Sequence, residues 1–171
     1  MPGSLIYTMF RTPLGWTGVA ATPAGICRVA LALSGEPEFL KTLRTLHPNP
    51  KKNGDKLASV EKEFHLYFQG MLKQFSCKLD LTRGTCFQQQ VWRKLMTIPF
   101  GKTRSYQWVA RSINRPKAFR AAGNANGRNP VPVIVPCHRV IRQNGSLGGF
   151  TGGTHLKQFL LDLEARSYGA I

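Results

Sequence analysis

A thiol beside an imidazole can do chemistry. The free thiol, with a pKa near ~8.5, is mostly protonated at neutral pH, and the imidazole is a base suited to take its proton. Cys137 and His138 stand together near the end of the run Asn129-Pro130-Val131-Pro132-Val133-Ile134-Val135-Pro136-Cys137-His138-Arg139-Val140. The run is too short to span a bilayer and too rich in proline for a helix interior, which predicts a buried, extended segment stiffened by its prolines. Adjacent residues of a strand point to opposite faces, so His138 is expected to reach the thiol through a bridging water, with a third group fixing its tautomer. His138 and Arg139 are the candidates for shifting the thiol toward thiolate. Glu164, one of two acids after Asp80 (the other is Asp162), is the best-placed partner for His138 on charge scarcity alone. The competing reading is a small buried core cysteine.

The elements that must position this pair follow from turn signals and apolar spacing. Ile6 to Phe10, Trp16 to Ala21 and Ile26 to Leu31, separated by Thr12-Pro13-Leu14-Gly15 and Thr22-Pro23-Ala24-Gly25, predict a three-stranded antiparallel meander. Phe39, Leu40, Leu43 and Leu46 repeat at helical spacing until His47-Pro48. Lys51 to Lys56 reads as a polar loop, Val60 to Met71 as a second amphipathic helix, and Cys77 to Leu81 as a short strand. Strands packed with helices make residues 1–84 a small α/β domain.

A second domain, residues 85–171, opens with a capping-box pattern at Thr85 and Gln88 and a helix lined by Phe87, Val91 and Leu95. A short helix from Ser105, a tight turn at Asn114-Arg115 and a further helix from Pro116 and Lys117 to Asn126, closed by Gly127, give helix-turn-helix spacing. Its second helix carries small residues, Ala121, Ala122, Gly123 and Ala125, around one cation, Arg120. Asn144-Gly145 predicts a hairpin, the wing of a winged helix-turn-helix. The loop Gly148-Gly149-Phe150-Thr151-Gly152-Gly153 suits a backbone that approaches a ligand, with Phe150 able to stack on a flat ring. A last helix, capped at Thr154, buries Leu156, Phe159, Leu160 and Leu163 and carries Glu164 near its end.

The charge names the partner. The chain of 171 residues has a formal net charge of +16. Residues 1–84 hold 11 basic and 6 acidic residues, a net +5, and the remainder holds 13 basic and 2 acidic, a net +11, so the excess lies with Cys137. Nine of those 13 are arginines, which fit phosphate by a two-pronged fork. A polyanion or an anionic membrane surface is the expected partner. No apolar window of about 18 residues and no signal-peptide pattern are present, which predicts a soluble, cytoplasmic protein, nuclear if the source is eukaryotic. Four sparse cysteines, with no C-x-x-C pair, predict reduced thiols, and the spacing of Cys27, His47, His65 and Cys77 gives no support to a metal site.

Phe87-x3-Val91-Trp92, Ser105-Tyr106, Arg120-Ala121-Ala122-Gly123, Asn129-Pro130-x5-Pro136-Cys137-His138-Arg139-Val140 and Gly152-Gly153 closely resemble the O6-alkylguanine-DNA alkyltransferases. The resemblance covers roughly residues 85–166; residues 1–84 resemble the family's variable RNase H-like domain. It implies an α+β chain whose C-terminal winged helix-turn-helix domain repairs duplex DNA. An alkyl group of O6-alkylguanine, with O4-alkylthymine a second candidate, passes once and irreversibly to Cys137, without cofactor or metal. Carried over by position, Cys137 is the acceptor, His138 the base through water, Glu164 its orienting partner, and Asn129 the holder of the active-site turn. Arg120 matches the finger that fills the gap left by a flipped nucleotide. Tyr106 matches the residue that promotes flipping and donates a proton toward the departing guanine. Val140, Phe150 and Thr151 match the base pocket, and Gln107, Arg115 and Gln143 sit where the family meets phosphate and sugar.

This chain departs from relatives in two places. Phe150 stands where some have tyrosine, and Asn126 where some have a larger apolar side chain. The relatives that bind lesions without repair replace the acceptor cysteine; Cys137 is kept. The protein is expected to act on DNA as a monomer, with cooperative assembly along the duplex left open. A winged-helix regulator with a structural or sensing Cys137, and a Cys-His hydrolase that turns over, are the alternatives from other classes.

Overall fold

The computed structural model describes residues 3–169, and they fall in two compact units, one ending at Leu81 and the other beginning at Thr82. In the first unit the two proline-glycine turns fold the chain back on itself as expected. β1 (Ile6–Thr12), β2 (Gly15–Thr22) and β3 (Gly25–Leu33) form an antiparallel meander. The period of two sends Tyr7 and Phe10 to opposite faces. On one face α1 (Glu36–Arg44) brings Phe39 edge-on to Tyr7, with ring centres 6.1 Å apart. Gly18 is what lets it approach, because a Cβ there would stand 2.6 Å from the Phe39 ring. On the other face α2 (Gly54–Phe68) sets Phe64 against Phe10 at 5.6 Å, and Phe75 covers Phe64 at 5.0 Å. Asn53 starts α2 by accepting from the Lys56 N–H.

Three expectations in this unit need correction. Lys51 and Lys52 are not loop but a short parallel edge strand, β4, on β1, giving the order β3-β2-β1-β4. Two exposed lysines carry no apolar pattern, yet their backbone pairs through Lys51 N–H to the Leu5 carbonyl at 2.9 Å, and charge suits an edge. The second helix ends at Phe68 and leaves Met71 exposed. Cys77 to Leu81 contributes a single bridge, Leu79 to Ile26, in place of a strand.

The second unit opens with α3 (Cys86–Leu95), and the Thr85–Gln88 capping box forms. Trp92, on its buried face, donates from Nε1 to the Ala125 carbonyl at 2.8 Å and so ties α3 to α5 (Phe119–Gly127). α4 (Tyr106–Ser112) is capped by the Ser105 hydroxyl, which accepts from the Trp108 N–H. The turn between α4 and α5 is longer than expected. Arg115 to Ala118 close their own turn through Ala118 N–H to the Arg115 carbonyl, so α5 begins at Phe119 rather than at Pro116 or Lys117.

The Asn144-Gly145 turn forms within a loop closed by Arg142 N–H to the Ser146 carbonyl at 2.8 Å. The strand before it, β6 (Val140–Ile141), finds its ladder partner in β5 (Arg104–Ser105) and runs parallel to it. α6 (Thr154–Tyr168) completes the unit; Gly153 is its cap and Thr154 its first residue, and Phe159 and Leu163 are only half-buried. No helix among the described residues is long and apolar enough to cross a membrane.

Candidate active site

Residues 131–140 are all buried, as their composition dictates, but up to Arg139 they do not form a strand. Asn129 folds them instead. Its Oδ1 accepts from the Val131 N–H at 3.0 Å, and its Nδ2 donates to the Val135 carbonyl at 2.7 Å, closing a tight turn in which Val133 takes a φ of 75°. A β-branched residue in the left-handed region is strained, and the surrounding packing over-determines it. Cys137–Arg139 then form one turn of 3-10 helix, which places the thiol, the imidazole and the guanidinium on successive corners. Extended geometry, expected from the apolar run, is excluded by the Asn129 side chain, which satisfies backbone groups that a sheet would have paired.

α6 supplies the carboxylate. Glu164 Oε1 lies 2.7 Å from His138 Nε2, and both side chains are buried, at 1% and 0% exposure. Arg139 donates to the same carboxylate from Nε at 2.9 Å and from Nη2 at 2.9 Å, and from Nη1 to the Ile98 carbonyl at 2.7 Å. The Gly101 N–H donates to Glu164 Oε2 at 2.9 Å. Burial pushes the Glu164 carboxyl up, but the bonds from His138 and Arg139 outweigh it and hold it well below the usual carboxylate range. Burial pulls His138 below its ordinary value against the attraction of Glu164, so the imidazole is neutral at pH 7. An ionised carboxylate accepts only, so the proton of that neutral ring sits on Nε2 and Nδ1 carries the lone pair. His138 is thereby set up as a base.

Cys137 is 5% exposed, and burial pushes its thiol up to about 11, against a hydrogen bond from Asn129 and the positive charge of Lys157. Sequence reasoning missed Lys157. Arg139 spends its charge on Glu164, and Lys157 is the cation that acts on the thiol. Its ammonium is held by three backbone carbonyls, Leu147 at 2.5 Å, Val140 at 2.6 Å and Gly149 at 3.3 Å, and burial pulls its pKa down to about 8. The signal was there: Lys157, Leu160 and Glu164 fall at i, i+3 and i+7, on the buried stripe of α6. A lysine on a core stripe needs partners, and the glycine loop supplies them.

A cavity of about 770 Å³ opens beside this network. It brings together six of the residues singled out from sequence: Tyr106 and Gln107 at the start of α4, Arg120 on α5, Gln143 on the Asn-Gly turn, and Phe150 and Thr151 on the glycine loop. Gly148 packs on Tyr106, where a Cβ would stand 2.6 Å from the tyrosine hydroxyl, and burial raises the pKa of that phenol. Cys137, His138, Glu164, Asn129 and Val140 lie behind the lining. They connect to it through Asn126, whose Nδ2 donates to the Cys137 carbonyl at 3.4 Å, and through Lys157, which bonds both Val140 and Gly149. Arg115 is exposed and does not line the cavity. No three His, Cys, Asp or Glu side chains among the described residues group as a metal site.

Comparison with known proteins agrees across both units. Residues 5–81 match the ribonuclease-like domain, and residues 86–166 the DNA binding domain, of the 6-O-methylguanine DNA methyltransferase family models. A constitutive methylated-DNA–protein-cysteine methyltransferase of Bacillus subtilis is 40% identical over 163 residues, covering 95% of this chain and 96% of its own. That of Methanosarcina barkeri is 48% identical over 162 residues, covering 94% and 97%. Mycobacterium tuberculosis OGT, solved in complex with DNA, superposes with a TM-score of 0.83 at 38% identity, covering 95% of this chain and 94% of that one. The chain belongs to the methylated-DNA–protein-cysteine methyltransferase family.

Proposed function

We propose that this protein removes the alkyl group of O6-alkylguanine in duplex DNA by transferring it to Cys137. The observation that carries the reading is the buried Cys137-His138-Glu164 series beside a cavity walled by the Arg120 helix, in a unit of formal charge excess.

The chemistry runs from the residues upward. His138 Nδ1, through a water, takes the thiol proton, and Glu164 and Arg139 hold the ring for that task. Lys157 favours the thiolate by its charge. The sulfur attacks the alkyl carbon, an S–C bond forms as the C–O6 bond breaks, and the electron pair leaves on the guanine, which takes a proton from the Tyr106 side. Alkylguanine O6 lies within the duplex and is reached only when the nucleotide is flipped into the cavity, where Phe150 stacks on the base and Thr151 and the Val140 backbone meet its edge. Arg120, exposed on α5, fills the gap left in the stack, and Gln107, Arg115 and Gln143 meet the DNA backbone. A thioether has no good leaving group, so each molecule acts once, as a monomer and without a cofactor.

The test is stoichiometry. With excess O6-methylguanine duplex, methyl removal should stop at one per protein molecule and be absent in Cys137→Ser. Continued turnover would overturn the single-use reading, and activity in Cys137→Ser would overturn the acceptor.

A further inference from the structure

Helix α5 presents one stripe to the cavity, Phe119, Gly123 and Asn126, at helical spacing. Gly123 faces Tyr106, and a Cβ there would meet the tyrosine ring at 3.5 Å, an ordinary contact. Asn126 is buried. Phe119 is different. It is 38% exposed, and among the described residues only Met71, Met96 and Tyr168 are comparably exposed large apolar side chains. None of those three lines the cavity. Phe119 is the first residue of α5, immediately before Arg120, and the Arg120 guanidinium stands over its ring at 5.8 Å.

An apolar ring held out of the core, with a cation over its face, at the edge of a cavity in a strongly basic unit, fits a partner that offers negative charge and flat apolar faces together. Stacked nucleobases on a phosphate backbone are that partner, and apolar side chains are the common wedges between base steps. Resting on the reading of Arg120 as the residue that enters the duplex, we propose that Phe119 enters with it and stacks on a base face that the flipped nucleotide leaves bare. Arg120 then supplies charge and hydrogen bonds in the gap, and Phe119 supplies the stacking surface that the lost base took away. The pair acts as one wedge.

The experiment compares Phe119→Ala and Phe119→Trp with the wild type on two substrates, an O6-methylguanine duplex and free O6-benzylguanine base. The expected result for Phe119→Ala is a fall in the duplex-to-free-base rate ratio of about tenfold, from the loss of one base–aromatic stack. Phe119→Trp should restore the ratio. A 2-aminopurine beside the lesion should be quenched by the wild type and bright in Phe119→Ala. An unchanged ratio, or an aminopurine signal that ignores the substitution, would overturn the proposal. So would equal losses on both substrates, which would place the ring against the alkyl group instead of the stack. Failure of the wild type to react with either substrate would strike the alkyl-transfer reading itself, which separates the two.

Discussion

Replacing Glu164 by glutamine keeps the volume of the side chain and removes its charge, and the structure sets the cost. Four donors converge on the carboxylate: His138 Nε2, Arg139 Nε and Nη2, and the Gly101 N–H. An amide offers one oxygen to them and turns its NH2 toward the rest, so at least one donor faces a donor. The guanidinium of Arg139, itself buried, loses its counter-charge. Breaking a buried pair from one side costs about 3–5 kcal/mol, which is a large part of the stability of a domain this size. Urea unfolding of Glu164→Gln should therefore show a midpoint well below wild type with the same slope. Transfer should suffer separately, because the acceptor that fixes the Nε2–H tautomer is gone. Roughly 100- to 10,000-fold slower methyl transfer is expected in protein confirmed as folded by circular dichroism. An unfolding midpoint unchanged from wild type, with transfer within about twofold, would refute the network as the support of the base.

Other expectations follow from the same geometry. Lys157→Met deprives the Val140, Leu147 and Gly149 carbonyls of their donor and should cost about 2–4 kcal/mol in denaturant unfolding. It also removes the cation that lowers the Cys137 pKa, so iodoacetamide should label Cys137 more slowly than in the wild type below about pH 8, where Lys157 carries its proton, and at the same rate well above it. The transfer rate should rise with pH from neutrality, because the thiolate fraction grows toward a pKa of about 11, and bend near pH 8 as Lys157 loses its proton; the bend should be absent in Lys157→Met. Arg120→Ala should slow repair of a duplex more than reaction with free O6-benzylguanine, and equal losses would remove its role in flipping. Asn129→Ala, which strands the Val131 N–H and the Val135 carbonyl, should destabilise by about 2–4 kcal/mol and broaden the thermal transition.

The site was legible where the chain writes chemistry in adjacent letters, as in Cys137-His138-Arg139, or where a residue type is scarce, as with Glu164. The capping box at Thr85 and the proline-glycine turns of the first strands were legible for the same local reason. What depended on tertiary partners was not. Lys157 looks like a surface lysine until the carbonyls of the glycine loop surround it, and Lys51-Lys52 look like loop until the β1 backbone pairs with them. Asn129 was assigned to hold the active-site turn by resemblance; that it replaces strand geometry with a buried turn follows from two side-chain bonds that no periodicity encodes. Phe119 has no signal in the sequence, where an exposed aromatic and a core aromatic read alike; its exposure beside the cavity separates them.

Everything proposed for the second unit depends on Cys137 receiving the alkyl group. Wild-type protein incubated with one equivalent of O6-methylguanine duplex, then digested and sequenced by tandem mass spectrometry, tests it most directly. One methyl is expected on the sulfur of the Cys137 peptide, with Cys27, Cys77 and Cys86 unmodified and the oligonucleotide returned to guanine. A methyl on another residue, or a folded, DNA-bound protein with Cys137 unmodified, would contradict it.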